Sequence, residues 1–387
     1  MEKNEPRYRD QLGPVLMVVL IVFLNLFSRS LFSPLLVEIE ETFQISHSEA
    51  SRFFLLISIG YAGSLLLSGY VSAAIQHRGA IILSITVIGA GQIIIALTSS
   101  LLLIYISLLI IGVGAGLYAP SGVPVITSIV EKKNWGRAIS LHEMGPNLGF
   151  VTAPLWATLI TFFLPWRAVF LLTGSICIAV GFLYMRFFEI GRFPGETPTF
   201  TIIGTVFRNP SFWILLSFFL FAAGGAQGVY SLLPTYLITE VGMNKVRANN
   251  LVSLSRIPPV FLVMTVGLLY EKFGPVRTIF SLMLLAASSM VFLGIARDGA
   301  VPLAVFLQPT CTAMFFPAGL AALSSIGPES SRNIILATLL AFVTLLGMGL
   351  APLFFGYMGD YYSFSLGFLL FGLSGFLIIP LVMKLRV

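Results

Sequence analysis

Charge is scarce in this sequence. Only 10% of the 387 residues are Asp, Glu, Lys or Arg, against 57% hydrophobic residues and a mean hydropathy of +0.97. A soluble domain of this length needs more polar surface than that composition supplies, which excludes the soluble enzymes and binding modules. Cysteine and histidine are rare as well, with two and three copies. Cys177 and Cys311 both lie in apolar runs, which fits packing better than a disulfide or a metal site. His142-Glu143 has the beginning of a helical zinc motif, but the second histidine would have to be residue 146, which is Pro146. The other histidines, His47 and His77, fall in loops on opposite predicted faces. No metal, no cofactor and no catalytic residue are therefore expected, and the chain is not read as an enzyme. No low-complexity tract is seen, and no cleaved signal peptide is expected, since the charged segment 1–10 leads into a span too long for a secretory core.

What the chain has instead is long apolar runs. They recur about twelve times, each near the ~20 residues that a helix needs to cross the hydrocarbon core. The ~10-residue alternation of a membrane β-barrel is missing, so the expected fold is an all-α membrane protein with twelve transmembrane helices. Twelve crossings put both termini on one side. With that side cytoplasmic, fifteen Lys and Arg residues fall inside and five outside, the asymmetry of the positive-inside rule. The formal net charge of +6 is thus a topology signal and needs no nucleic acid to explain it. A multi-pass protein of the inner (plasma) membrane, in contact with lipid and monomeric, is the expectation.

The longest polar interruption, near the midpoint, contains Pro194, Gly195, Pro198 and Pro210. It divides the sequence into a six-helix bundle at 1–188, a cytoplasmic linker at 189–210 and a second bundle at 211–387. A short amphipathic piece at 200–207 is placed on the membrane surface or read as irregular linker. The two halves share a motif. Gly267, Glu271, Lys272, Gly274 and Arg277 have a weaker copy 198 residues earlier, with Gly69 and Arg78 kept, Ala73 in place of the acid and Gln76 in place of the second glycine. The fifth span carries Gly145-Pro146-Asn147-Leu148-Gly149, and the fourth has Gly112, Gly114 and Gly116.

Two sixfold halves, a central loop, this repeated glycine-rich motif and the Gly-Pro-x-x-Gly run together resemble the major facilitator superfamily of secondary transporters. The resemblance covers almost the whole chain. It implies two pseudo-symmetric bundles, a substrate site near the midplane and alternating access by rocking. It also implies a conformational latch, in which Glu271 and Lys272 of the second-half loop meet the start of the fifth helix near Arg137.

Of the 22 basic and 16 acidic residues, only Arg29, Glu143 and Arg256 lie well inside the predicted spans. At ~1.5 Å per residue, Arg29 and Arg256 sit about 6 and 4 Å to the outer side of their span centres, and Glu143 about 10 Å to the cytoplasmic side. A charge at mid-membrane costs at least ~2.5 kcal/mol, so such residues are functional candidates by default. The surplus of positive charge suits an anion. Arg256, beside the Pro258-Pro259 break, is the first candidate for an anion-binding residue and Arg29 the second. An Arg256–Glu143 structural pair is the competing account. Asn25, Tyr118, Gln227, Tyr230, Gln308 and Thr310 stand at similar depth, with Tyr118, Gln227 and Asn25 chosen as substrate contacts and Leu117, Phe315 and Phe316 as an apolar rim. Glu143, next to the Gly145-Pro146 bend, is the candidate proton-coupling site, and His142 the weaker relay because it points about 100° away around the helix.

An arginine in the eighth helix is similar to that of proton-coupled monocarboxylate transporters, and one in the first helix to that of organophosphate antiporters. Nitrate and nitrite porters share the eighth-helix arginine but pair it with one inside the second helix, which this chain lacks. The expected function is proton-coupled symport of a small organic anion, above all a carboxylate. The alternatives are an inorganic-anion porter, an organophosphate antiporter, an exporter of neutral or amphipathic compounds and a non-transporting receptor.

Overall fold

The computed structural model describes residues 8–195, 207–326 and 332–385, so the amphipathic piece at 200–207 lies, but for Phe207, outside the described residues. Every element among the described residues is helical, as the apolar runs require. Eleven helical spans are long and apolar enough to cross a membrane, one fewer than the twelve crossings expected. The difference has a local cause. Helix His47–Leu97 has 51 residues, far more than the ~20 of one crossing, and it turns at Gln76, where φ is 63° and ψ 164°. Counting its two arms as α2 (47–75) and α3 (77–97) restores twelve. The others are α1 (Gln11–Phe43), α4 (Leu101–Ile129), α5 (Lys132–Phe163), α6 (Trp166–Phe187), α7 (Pro210–Thr239), α8 (Lys245–Phe273), α9 (Pro275–Ile295), α10 (Ala300–Ser324), α11 (Ile335–Tyr361) and α12 (Phe364–Lys384).

Several of these starts are written in the sequence. The Asn209 side chain accepts from Ser211 N with Pro210 in the first helical position, Asn244 accepts from Arg247 N, and Ser363 accepts from Leu366 N. Each satisfies a backbone donor that the helix itself leaves unpaired.

Packing divides the chain into two units that cut across several helices. The first comprises Met1–Leu31, Gly60–Ala153 and Ile160–Pro198, and the second Phe32–Ile59, Pro154–Leu159 and Thr199–Val387, as far as these are described. In the first unit, glycines let backbones touch. A Cβ on Gly60 would stand 2.3 Å from the Leu109 carbonyl oxygen, and one on Gly116 2.4 Å from that of Tyr61, so α2 and α4 are in direct backbone contact. Gly145 and Gly149 bring α5 onto Val22 and Phe27 of α1 in the same way. The second unit is centred on phenylalanines, with Phe212, Phe218, Phe219 and Phe315 all essentially without exposure. Its α7 and α11 each widen into a π-helical segment, Gly224–Gly228 and Val343–Leu350, and the two segments pack together through Gly224, Gly347 and Ala351.

Gln76 occupies a glycine's conformation. Gly274, its counterpart 198 residues later, has φ 79° and ψ 167°, almost the same as Gln76. That region is close to glycine-only and costs a side-chain-bearing residue about 1–3 kcal/mol. The surroundings hold the turn in place. His77 N and Arg78 N donate to the carbonyls of Phe193 and Gly191, Gly195 N donates to that of Ser72, and the Arg78 guanidinium donates to the carbonyls of Met185 and Phe188 at the end of α6. Gln76→Gly is therefore expected to raise the thermal midpoint of the purified protein by a few degrees. An unchanged or lowered midpoint would show that the turn carries no strain.

Candidate functional site

The second unit holds Arg256, where α8 breaks. Helix Lys245–Ser255 ends there and Ile257–Leu262 begins, because Pro258 and Pro259 supply no backbone N–H to continue the ladder. The break leaves Arg256 only 8% exposed. Its guanidinium carbon lies 4.6 Å from the centre of the Tyr230 ring, and Nη2 donates to the Ala226 carbonyl at 3.1 Å. That carbonyl belongs to the π segment of α7. The neighbouring Gly225 carbonyl accepts from Gln308 Nε2 at 2.7 Å, and Gln308 also donates to Thr312. Gln308 is thus occupied in joining α7 to α10, while Gln227, in the same π segment, is half-buried. Phe315, expected on an apolar rim, lies in the hydrophobic core of this unit.

The first unit holds Arg29. Its guanidinium lies 4.8 Å from the centre of the Tyr61 ring, and Nε donates weakly to the Asn25 carbonyl at 3.4 Å. Among the described residues no carboxylate is within ion-pair distance of Arg29. Asn25 is buried and donates to the Ala115 carbonyl, which ties α1 to α4. Each arginine therefore rests on a tyrosine face, Arg29 of α1 on Tyr61 of α2 and Arg256 of α8 on Tyr230 of α7. Cation–π contact of this kind contributes about 0.5–2 kcal/mol. Tyr61 escaped the sequence reading because one tyrosine in an apolar run carries no signal of its partner.

A second group in the first unit was only partly foreseen. Tyr118 Oη is 2.7 Å from His142 Nε2, and His142 Nδ1 is 3.0 Å from Glu143 Oε1. Tyr118 and His142 are buried, while the Glu143 side chain is 61% exposed. The 100° turn between adjacent helical positions separates their Cα–Cβ directions, but the long glutamate side chain reaches back to the imidazole. Tyr118 is thus engaged with His142, and neither it nor Leu117, also buried, is an open surface.

The second unit also contains a polar cluster that the sequence reading missed. The Asp360 carboxylate accepts from the backbone N–H of His47 and Ser48 at 2.9 and 2.8 Å, His47 Nδ1 is 3.0 Å from Glu40 Oε2, and Lys245 pairs with Glu38. Glu240 accepts from Phe364 N and Ser365 N. Two helix N-termini, those of α2 and α12, are thereby capped by carboxylates from elsewhere in the chain, an arrangement favoured by the helix dipole. The cluster joins residues 38–48 to residues 240–245 and 360–365. Glu271, Lys272 and Arg137 are all exposed, with Lys272 Nζ over the Phe273 ring at 5.3 Å.

The model of the Major Facilitator Superfamily matches residues 18–263 and 228–387, which together run through nearly the whole chain. The chain belongs to that superfamily. This member is a multi-pass membrane protein. It is similar to Multidrug resistance protein D of Escherichia coli (strain K12), with 23% identity over 218 residues. That match takes in 56% of this chain and 54% of the other, so the chain spans about half the length of the curated relative. Among solved structures, a bacterial homologue of the human lysosomal transporter Spinster, inward-facing and occupied, superposes with a TM-score of 0.80 at 18% identity, covering 99% of this chain and 97% of that one. A D-xylose–proton symporter gives a TM-score of 0.78 at 16% identity, covering 97% and 98%. At such identities the likeness shows the fold.

Proposed function

We propose that this protein is a secondary transporter and carries a small organic anion, above all a carboxylate, together with a proton. The observation that carries the reading is Arg256. A guanidinium stays charged at any physiological pH, and here it is buried at a helix break, spread over a tyrosine ring and bonded to a neutral carbonyl. Arg29 supports it with the same pairing in the other unit. Arg256 and Arg29 are proposed to bind the anionic group, with Gln227 beside Arg256 and Asn25 beside Arg29, and Glu143 to take the coupling proton from water at its exposed carboxylate.

The proposed setting is the plasma membrane, as a monomer with both termini cytoplasmic. In that topology the cluster of Glu38, Glu40, His47, Lys245 and Asp360 lies on the outer side. Glu271, Lys272 and Arg137 are proposed as the latch on the cytoplasmic side, to be tested by cysteine accessibility from both faces in Glu271→Gln.

A second reading, export of neutral or amphipathic compounds, is favoured by the likeness to Multidrug resistance protein D. Thermal shift of the purified protein against carboxylates, phosphates, sulfonates, nitrate, sugars and cationic drugs separates the two. Stabilisation by carboxylates, reproduced as uptake into proteoliposomes under an inward proton gradient, is the expected result. Stabilisation by sugars or cationic drugs alone would overturn the anion reading.

A further inference from the structure

Three helices of the first unit meet at one hydrogen-bonded chain. From the exposed end it runs Glu143 Oε1, His142 Nδ1 at 3.0 Å, His142 Nε2, Tyr118 Oη at 2.7 Å, and the Val18 carbonyl of α1 at 3.4 Å from Tyr118 Oη. Glu143 and His142 belong to α5, Tyr118 to α4. The rings of Tyr118 and His142 are 8° from parallel, and a Cβ on Gly122 would meet the Tyr118 ring at 2.7 Å, so the phenol is fixed in place and only its hydrogen is free to turn.

We infer that Tyr118, His142 and Glu143 form one proton-sensing relay, in which His142 holds the coupling proton against Glu143 and Tyr118 transmits its presence to α1. This rests on the proton-coupled reading above and extends it to two residues that reading leaves without a part.

The bonding capacity of the groups defines two states. A carboxylate only accepts, so with Glu143 ionised and His142 neutral the imidazole hydrogen sits on Nδ1, facing Glu143. Nε2 is then an acceptor, and Tyr118 donates to it. When one proton is added from water, the imidazole becomes an imidazolium with hydrogens on both nitrogens. Nδ1–H still faces the carboxylate, but Nε2–H now donates to Tyr118, whose own hydrogen must leave Nε2. The Val18 carbonyl is the acceptor within reach. The balance is one proton gained by the ring, with the imidazolium paired to Glu143 and the tyrosine hydrogen transferred from a bond to α5 to a bond to α1. A proton taken up at a water-exposed carboxylate thereby changes which helices α4 is bonded to.

The titratable groups facing the relay are few. Glu143 comes from α5 itself and Tyr184 from α6, and α1 contributes the Val18 carbonyl. Tyr184 donates to the Ile190 carbonyl and stays outside the hydrogen-bonded chain.

The test is the pH profile of uptake into proteoliposomes, with counterflow exchange measured on the same preparations. Tyr118→Phe keeps the ring and its packing but removes the hydroxyl. It is expected to move the midpoint of the pH profile by at least about half a unit while counterflow stays within about twofold of wild type. His142→Gln is expected to flatten the profile. A residue that only packs would lower uptake equally at every pH without moving the midpoint. If wild-type uptake depends on pH and both variants keep its midpoint, the relay is wrong and the proton-coupled reading stands. If wild-type uptake is indifferent to pH, the proton-coupled reading fails and the relay with it.

Discussion

Arg256→Lys is expected to weaken binding of the transported anion by at least tenfold, about 1.4 kcal/mol, while the purified protein keeps its thermal stability. The substitution preserves the charge, so a loss would report geometry. The guanidinium is planar. It lies against the Tyr230 ring and donates from Nη2 to the Ala226 carbonyl, contacts that fix its plane. An ammonium has no plane to stack and no fork with which to meet two oxygens at once, so it acts as a point charge on a flexible stem. Ala226 sits in the π segment of α7, so the position of the guanidinium is set by a wide helical turn whose backbone the mutation leaves untouched. Equilibrium binding and uptake by purified protein decide the matter. Near wild-type affinity in Arg256→Lys would remove Arg256 from the binding site.

Glu143→Gln should abolish accumulation driven by a pH gradient and leave counterflow exchange in place. Importing a monoanion against an inside-negative potential costs about 2.3 kcal/mol per 100 mV, and one accompanying proton cancels that cost. The carboxylate through which the proton is assigned to enter should therefore matter for uphill accumulation and not for exchange, in which the loaded carrier shuttles both ways. Glutamine keeps the length and the oxygen that faces His142 but takes no proton. Full pH-driven accumulation in the mutant would refute the assignment. Loss of counterflow as well would point instead to a structural part for the carboxylate.

How far these residues were legible in the sequence depended on the range of the signal. Apolar run length and the Lys and Arg asymmetry are local properties of the chain, and from them the helical membrane fold could be read. The break at Arg256 was visible as well, since two consecutive prolines inside an apolar run remove two backbone donors from the helical ladder. The merging of two crossings at Gln76 was not, because a glutamine in a left-handed turn is imposed by contacts with residues 185–195 and not by its own preference. Gln308 and Asn25 were weighed as substrate contacts on depth and helix position, and the structure adds that each also donates to a backbone carbonyl of a neighbouring helix. Depth fixes a residue's height and says nothing of the direction its side chain takes. His142 was discounted on helical angle, which describes the backbone vector and ignores the three rotatable bonds through which Glu143 reaches it. The cluster around Asp360 joins residues more than 300 positions apart, and no spacing rule extends that far.

The widened segment Val343–Leu350 of α11 also bears on how this gene tolerates change. A π-helical turn is related to an ordinary one by the insertion of a single residue, so losing one codon there would let the segment close into a regular α-helix. The rest of α11 would keep its orientation, because the wide turn already absorbs the extra residue. Phe355, now without exposure and packed on Phe368 and Phe371, would stay in the core, and Asp360 would stay at the N-terminus of α2. A one-residue deletion within 343–350 should accordingly be tolerated better than one in a regular core helix, where the remainder turns by about 100°.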